Sequence, residues 1–143
     1  MYLVVLSSNP VMECLFNMRK LWLDDERQEP SGWVRVMTAQ EAVNMLLTEE
    51  FDEISLDHDL GACKECADAC TDDMPDCPHN GNGYDVLCWL ESRVADDPLF
   101  RVPVIHVHTA NPSARIKILA AVKSIYGMSR CGIWSASCFP SEV

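Results

Sequence analysis

No part of the chain stays apolar over the roughly 18 residues that suggest a membrane span. The apolar start is broken after six residues by Ser7-Ser8-Asn9-Pro10 and carries no basic n-region, so it makes a poor signal peptide. Residues 1–17 read either as native chain or as an extension upstream of a start at Met18; residues 18–143 read as a single domain. Basic residues are scarce. Eleven Lys+Arg stand against 22 Asp+Glu, a formal net charge of −11, which sets the surface against duplex DNA because phosphate neutralisation dominates duplex binding. A nucleotide or an RNA end stays compatible where a metal ion or a local arginine clamp supplies positive charge. Disorder is excluded by a hydrophobic content of 48%, too high for a chain that cannot build a core. The length of 143 residues suits one domain with one core.

The apolar residues come in short runs. Leu21-Trp22-Leu23 reads as a buried strand stopped by Asp24-Asp25. A loop containing Pro30 and Gly32 follows, then a strand over Val34–Met37. Thr38 and Glu41 have capping-box spacing and open a helix over Ala39–Glu50, with Ala42, Val43, Leu46 and Leu47 on one face. Phe51–Leu56 is a third strand, stopped by Asp57-His58-Asp59. Residues 61–82, rich in Cys and acids and poor in large apolar side chains, read as an insertion. A helix over Gly83–Ala95 presents Val86, Leu87, Leu90 and Val94, and Cys88 is expected in the core. Val102–His108 is a fourth strand. Ser113–Tyr126 is a helix with Ile116, Leu119, Ala120 and Lys123 at helical spacing and Gly127 as its C-cap. A last strand is expected around Ile133-Trp134. This order predicts an α/β layered fold with a mostly parallel sheet.

Such sheets bind ligands at the carboxyl ends of their strands, and three strands here end in polar chemistry. Asp24, Asp25, Asp57 and Asp59 would converge there. Packed carboxylates repel one another unless a cation sits among them, and oxygen ligands favour Mg²⁺. His106 and His108 alternate onto one sheet face, and Thr109 points to the other. His106 reads as an ordinary interior residue. His108 and His58 are candidate general acids or bases, since an imidazole titrates near neutrality. Thr109 and Asn111 are candidates for orienting phosphoryl oxygens, and Arg27 and Arg115 for clamping phosphate.

Leu23-Asp24-Asp25-Glu26-Arg27, Ser55-Leu56-Asp57-His58-Asp59-Leu60-Gly61, Gly83-Tyr84-Asp85 and His108-Thr109-x-Asn111-Pro112 together resemble the cyclic-phosphate-processing receiver domain. This family is a divergent branch of the CheY-like receivers, and the resemblance spans about residues 19–125. It implies a receiver-like (flavodoxin-like) three-layer α/β sandwich and an acidic Mg²⁺ pocket at Asp24, Asp25 and Asp57, joined by His108 and Thr109. It implies processing of cyclic phosphates on nucleotides or RNA ends by a metal-dependent hydrolase. The alternative is a non-catalytic receiver or sensor, phosphorylated on Asp57 or binding a nucleotide or a protein. Against that reading, no lysine in a final strand matches the phosphate-pairing lysine of receivers; Lys123 falls in a helix. The sequence also departs from the family pattern at Ala114, where the family often has glycine.

Four of the eight cysteines crowd together as Cys63-x2-Cys66-x3-Cys70-x6-Cys77, followed by His79. Five soft ligands offered to the four places of a tetrahedral ion read as a closed, structural Zn²⁺ site in a reducing compartment, the cytoplasm. Metal binding would supply folding free energy that this apolar-poor insertion lacks. Disulfides or free thiols are the alternative.

Overall fold

The computed structural model describes residues 18–61 and 79–130. The elements run β1 (Lys20–Leu23), β2 (Trp33–Val36), α1 (Ala39–Thr48), β3 (Glu53–Leu56), α2 (Gly83–Asp96), β4 (Val104–Val107) and α3 (Pro112–Met128). The four strands form one sheet in the order β2-β1-β3-β4, and every pairing is parallel. The register places Leu21, Ile54 and Ile105 side by side, and likewise Leu23, Leu56 and Val107. This apolar face meets the helices. Leu21, Leu23, Ile54 and Leu56 are fully buried there beside Val86, Leu90, Ile118 and Ile125.

Helix α2 packs against both α1 and α3, so the three helices make one layer on one side of the sheet. Of the three layers expected, the described residues supply two. The other sheet face carries Lys20, Trp22, Trp33, Arg35, Glu53, Ser55, Val104 and His106, all placed there by the same register.

Local chemistry sets the helix starts. Thr38 and Glu41 form the expected capping box. Asn82 and Asp85 form a second, unexpected one. Asn111 caps α3 through its side-chain oxygen, with Pro112 at the first helical position, where its missing N–H costs nothing. The fourth strand begins at Val104 and not Val102, because Pro103 has no N–H to give the ladder. The second ends at Val36, since the Met37 N–H donates to the Glu41 carboxylate.

Three packing expectations need correction. In α3 the buried stripe is Ala114, Ile118, Val122 and Ile125, and Ile116 is 72% exposed. The helix is apolar on several sides, so periodicity alone did not fix its rotation. A tie does so: the Tyr126 hydroxyl accepts from the Ile105 N–H and donates to the Pro103 carbonyl. Gly127 remains inside this helix, which ends at Ser129. Leu47 is 60% exposed on α1, and Cys88 lies on the exposed side of α2.

Gly61 and Asn80 are held together. The Asn80 side-chain amide donates to the Gly61 carbonyl, and the Asn80 carbonyl accepts from the Ala39 N–H at the start of α1. Cys63, Cys66, Cys70 and Cys77 lie outside the described residues, as do residues 1–17 and the strand expected around Ile133.

Candidate functional site

Strands β1, β3 and β4 are neighbours and end together. The ladder continues one residue past each. The Asp57 N–H donates to the Leu23 carbonyl at 3.0 Å and the His108 N–H to the Leu56 carbonyl at 3.2 Å, while the Asp24 N–H reaches the Val36 carbonyl at 3.2 Å. Asp24, Asp57 and His108 are thereby fixed on one sheet edge. Their ligand atoms all lie within 4.8 Å of one another. His108 Nε2 sits 3.1 Å from Asp24 Oδ2.

The two carboxylates are built alike. Asp24 Oδ1 accepts from the Glu26 and Arg27 N–H groups at 2.9 and 2.6 Å. Asp57 Oδ1 accepts from the His58 N–H at 2.8 Å. One oxygen of each is thus tied to backbone, and Oδ2 of each faces the cluster. Asp24 is 0% and Asp57 7% exposed, so their charges need a counterion. Arg27 supplies one. Its Nη1 lies 3.4 Å from Asp24 Oδ2 and 3.6 Å from Asp57 Oδ2, and donates to the His108 carbonyl at 3.0 Å. Arg27, expected to clamp phosphate, here neutralises the acids.

Burial, and then the Asp24 charge, hold the Asp57 carboxyl above its ordinary range, against the opposing pull of His108, the His58 N–H and Arg27. Burial pushes the His108 imidazole down, although Asp24 and Asp57 favour its protonated form. The net direction favours the neutral ring, with a lone pair available to a proton or a metal. The profile of the cyclic-phosphate processing receiver domain matches residues 19–124, a span that contains all four strands, α1, α2 and this cluster. The chain belongs to that family. No curated protein and no solved structure matches it.

Around the cluster, this receiver domain distributes its other candidate residues differently from one another. Asp25 turns away: its Oδ2 accepts from the Gly61 N–H at 2.8 Å. Asp59 is paired with His58, Oδ1 to Nδ1 at 2.7 Å. The Thr109 hydroxyl accepts from the Asn111 N–H, and Asn111 Oδ1 from the Ala114 N–H, so both shape the turn into α3. Arg115 is exposed and reaches the Val107 carbonyl only at 3.4 Å. His106 is on the sheet face, paired with Glu53 at 3.0 Å, but its side chain is 46% exposed and not the interior residue expected, because no described element covers that face of β4. His79 falls in a turn beside Asn80, the one member of the expected zinc set within the described residues.

The donor set bears on which cation fits. A Mg²⁺ cage was expected from four carboxylates. The receiver domain's group is two carboxylates and an imidazole, so the all-oxygen set that favours Mg²⁺ is not what the described residues assemble. The paired Oδ2 atoms and the ring nitrogen offer three ligand atoms to one cation.

Three supporting residues were not expected from the sequence. Arg35 donates to the carbonyls of Asp24 and Asp25 at 3.0 and 2.8 Å and so holds the end of β1. Ser55 Oγ lies 2.7 Å from His108 Nδ1. Trp22 stacks on the His108 ring, 3.9 Å between centroids and 9° between planes. A serine inside an apolar strand was the available signal for the second; nothing in one sequence singles out the others.

Proposed function

We propose that this receiver domain hydrolyses a cyclic phosphodiester of a nucleotide or an RNA end, with Asp24, Asp57 and His108 holding a divalent cation. The observation that supports this is the convergence of those three ligands at the carboxyl edge of the sheet, in a member of a cyclic-phosphate processing family. When bound, the cation offsets the negative charge that develops on the phosphoryl oxygens. The remaining work falls to side chains. Water forms a bond to phosphorus, one ribose P–O bond breaks, and the ribose oxygen takes up a proton. His58 is suited to move that proton. It follows Asp57 directly, and Asp59 orients its ring through Nδ1, as a carboxylate does for a working histidine. Arg27, displaced from the aspartates, would be left beside the phosphate it was first expected to clamp. Lys123 is exposed on α3, away from the phosphate-pairing position of a signalling receiver, which favours hydrolysis over phosphorelay.

The test is turnover of 2′,3′-cyclic nucleotides and cyclic-phosphate RNA ends with Mg²⁺ or Mn²⁺. Absence of turnover with every such substrate in folded, metal-loaded protein would end this reading. The two histidines should separate. His58→Gln is expected to lower kcat by about 10²–10⁴, the usual worth of general acid–base catalysis, with cation affinity retained. His108→Ala is expected to lose cation affinity together with turnover, read by calorimetric titration with Mn²⁺. Equal cation affinities in the two variants would contradict the division of roles.

We propose separately, from spacing alone, that Cys63, Cys66, Cys70, Cys77 and His79 furnish a structural Zn²⁺ site. Metal analysis of the purified protein should find stoichiometric zinc; zinc-free protein with an unchanged melting temperature would dismiss it.

A further inference from the structure

Ser55 is buried, 3% exposed, in the middle of the Ile54-Ser55-Leu56 run of β3. Its hydroxyl meets His108 Nδ1 at 2.7 Å, while the ring's other nitrogen faces Asp24 at 3.1 Å. Trp22, the register partner of Ser55 in β1, lies flat against the ring. The imidazole is therefore held at both nitrogens and on one face. We propose that Ser55 is a positioning residue that aims His108 Nε2 at the two aspartates and lets the ring exchange tautomers when a cation arrives. This rests on the reading of His108 as a cation ligand.

A neutral imidazole carries one proton, on either nitrogen. An ionised carboxylate only accepts, so opposite Asp24 the proton belongs on Nε2, and Nδ1 accepts from the Ser55 hydroxyl. A cation on Nε2 needs the lone pair there. The ring then loses its proton at Nε2 and gains one at Nδ1, with no change of charge. Ser55 Oγ must now accept. A hydroxyl does both by rotating its hydrogen, whereas a backbone carbonyl in the same place would satisfy only the second state. Partners that hold the far nitrogen of a ligand histidine fix its tautomer, and their loss typically weakens metal binding by about 10–100-fold.

The same three side chains, in the order Ser–His–Asp, also look like a nucleophile relay. Burial argues against that use. Ser55 lies within the strand beside Trp22, one residue before the strand's end, and its hydroxyl is closed to a substrate.

The experiment uses the full chain with Ser55→Ala and Ser55→Thr. It measures the ¹⁵N shifts of the His108 ring at pH 8 without added metal, and the affinity for Mn²⁺. The expected result is a single Nε2–H tautomer without metal in all three proteins, since Asp24 dictates it. In Ser55→Ala the Nδ1–H has no acceptor once a cation takes Nε2, so Mn²⁺ affinity should be about 10–100-fold weaker, and Ser55→Thr should restore it. A purely structural serine would leave the Mn²⁺ affinity of folded protein alone. Unchanged affinity in Ser55→Ala, or a metal-free tautomer other than Nε2–H in the wild type, overturns the role of Ser55, whether or not the protein turns over a cyclic phosphate. Weaker Mn²⁺ binding in Ser55→Ala and its rescue in Ser55→Thr, in a protein whose wild type hydrolyses nothing, uphold Ser55 and reject the hydrolase.

Discussion

Replacing Asp57 with asparagine is expected to abolish turnover and to raise the melting temperature of the protein without added metal. The two effects share a cause. Asp57 Oδ2 and Asp24 Oδ2 face the same cluster, and burial and the Asp24 charge lift the Asp57 carboxyl above its ordinary range. A carboxyl raised on folding favours the native state while protonated, below its unfolded pKa. That contribution is lost as pH rises through the folded value, so at neutral pH the ionised group works against the fold. Asparagine keeps the shape and removes the charge. It also removes a ligand. Cation stabilisation of a phosphoryl group is worth several kcal/mol, and a loss of about 4 kcal/mol is about a thousandfold in rate. Thermal melts and cyclic-phosphate turnover, run together at pH 7, read both outcomes. The difference in melting temperature should narrow as pH falls into the carboxylate range. A lower melting temperature in Asp57→Asn would show that Arg27 more than compensates the charge.

Gly83→Ala is expected to be strongly destabilising, although helix propensity alone says the opposite. Gly83 is the first residue of α2, and a Cβ there would lie 2.1 Å from the Asp57 carbonyl oxygen and 3.0 Å from its carbon. Both are backbone atoms and cannot rotate away. Alanine gains about 1 kcal/mol over glycine within a helix; overpacking costs about 1–3 kcal/mol and occasionally more. Sterics should win at a contact this short. Because the obstructing group is Asp57 itself, relief of the clash moves a cation ligand. Denaturant unfolding should show a loss of about 2 kcal/mol or more, and Mn²⁺ affinity should fall with it. Gly127 is the control: a Cβ there meets nothing within 4 Å. Retained stability and Mn²⁺ affinity in Gly83→Ala would refute this account of the contact.

Features with a local cause were legible in the sequence. The capping box at Thr38, the α2 stripe of Val86, Leu87, Leu90 and Val94, and the strands that end in acids each depend on residues close together in the chain. The convergence of Asp24, Asp57 and His108 followed from parallel pairing, because parallel strands bring their carboxyl ends to one edge. What escaped depends on packing between elements. The rotation of α3 is set by Tyr126 reaching β4, and the role of Arg27 by the two buried carboxylates around its guanidinium. Asp25 and Asp59 look equivalent to Asp24 and Asp57 as letters. Their side chains turn to the Gly61 N–H and to His58, and loop geometry of that kind has no periodicity to read.

Because Asn80 holds the Gly61 carbonyl, the two ends that flank residues 62–78 are pinned one hydrogen bond apart. Closing a longer loop between such ends costs only about 0.6 kcal/mol for each doubling of its length. Residues 62–78 can accordingly lengthen, shrink or change composition over evolutionary time without shifting the strand register or the aspartates. The clasp works as a splice joint: it keeps the receiver and its cysteine-rich cargo as parts that can be inherited and exchanged separately.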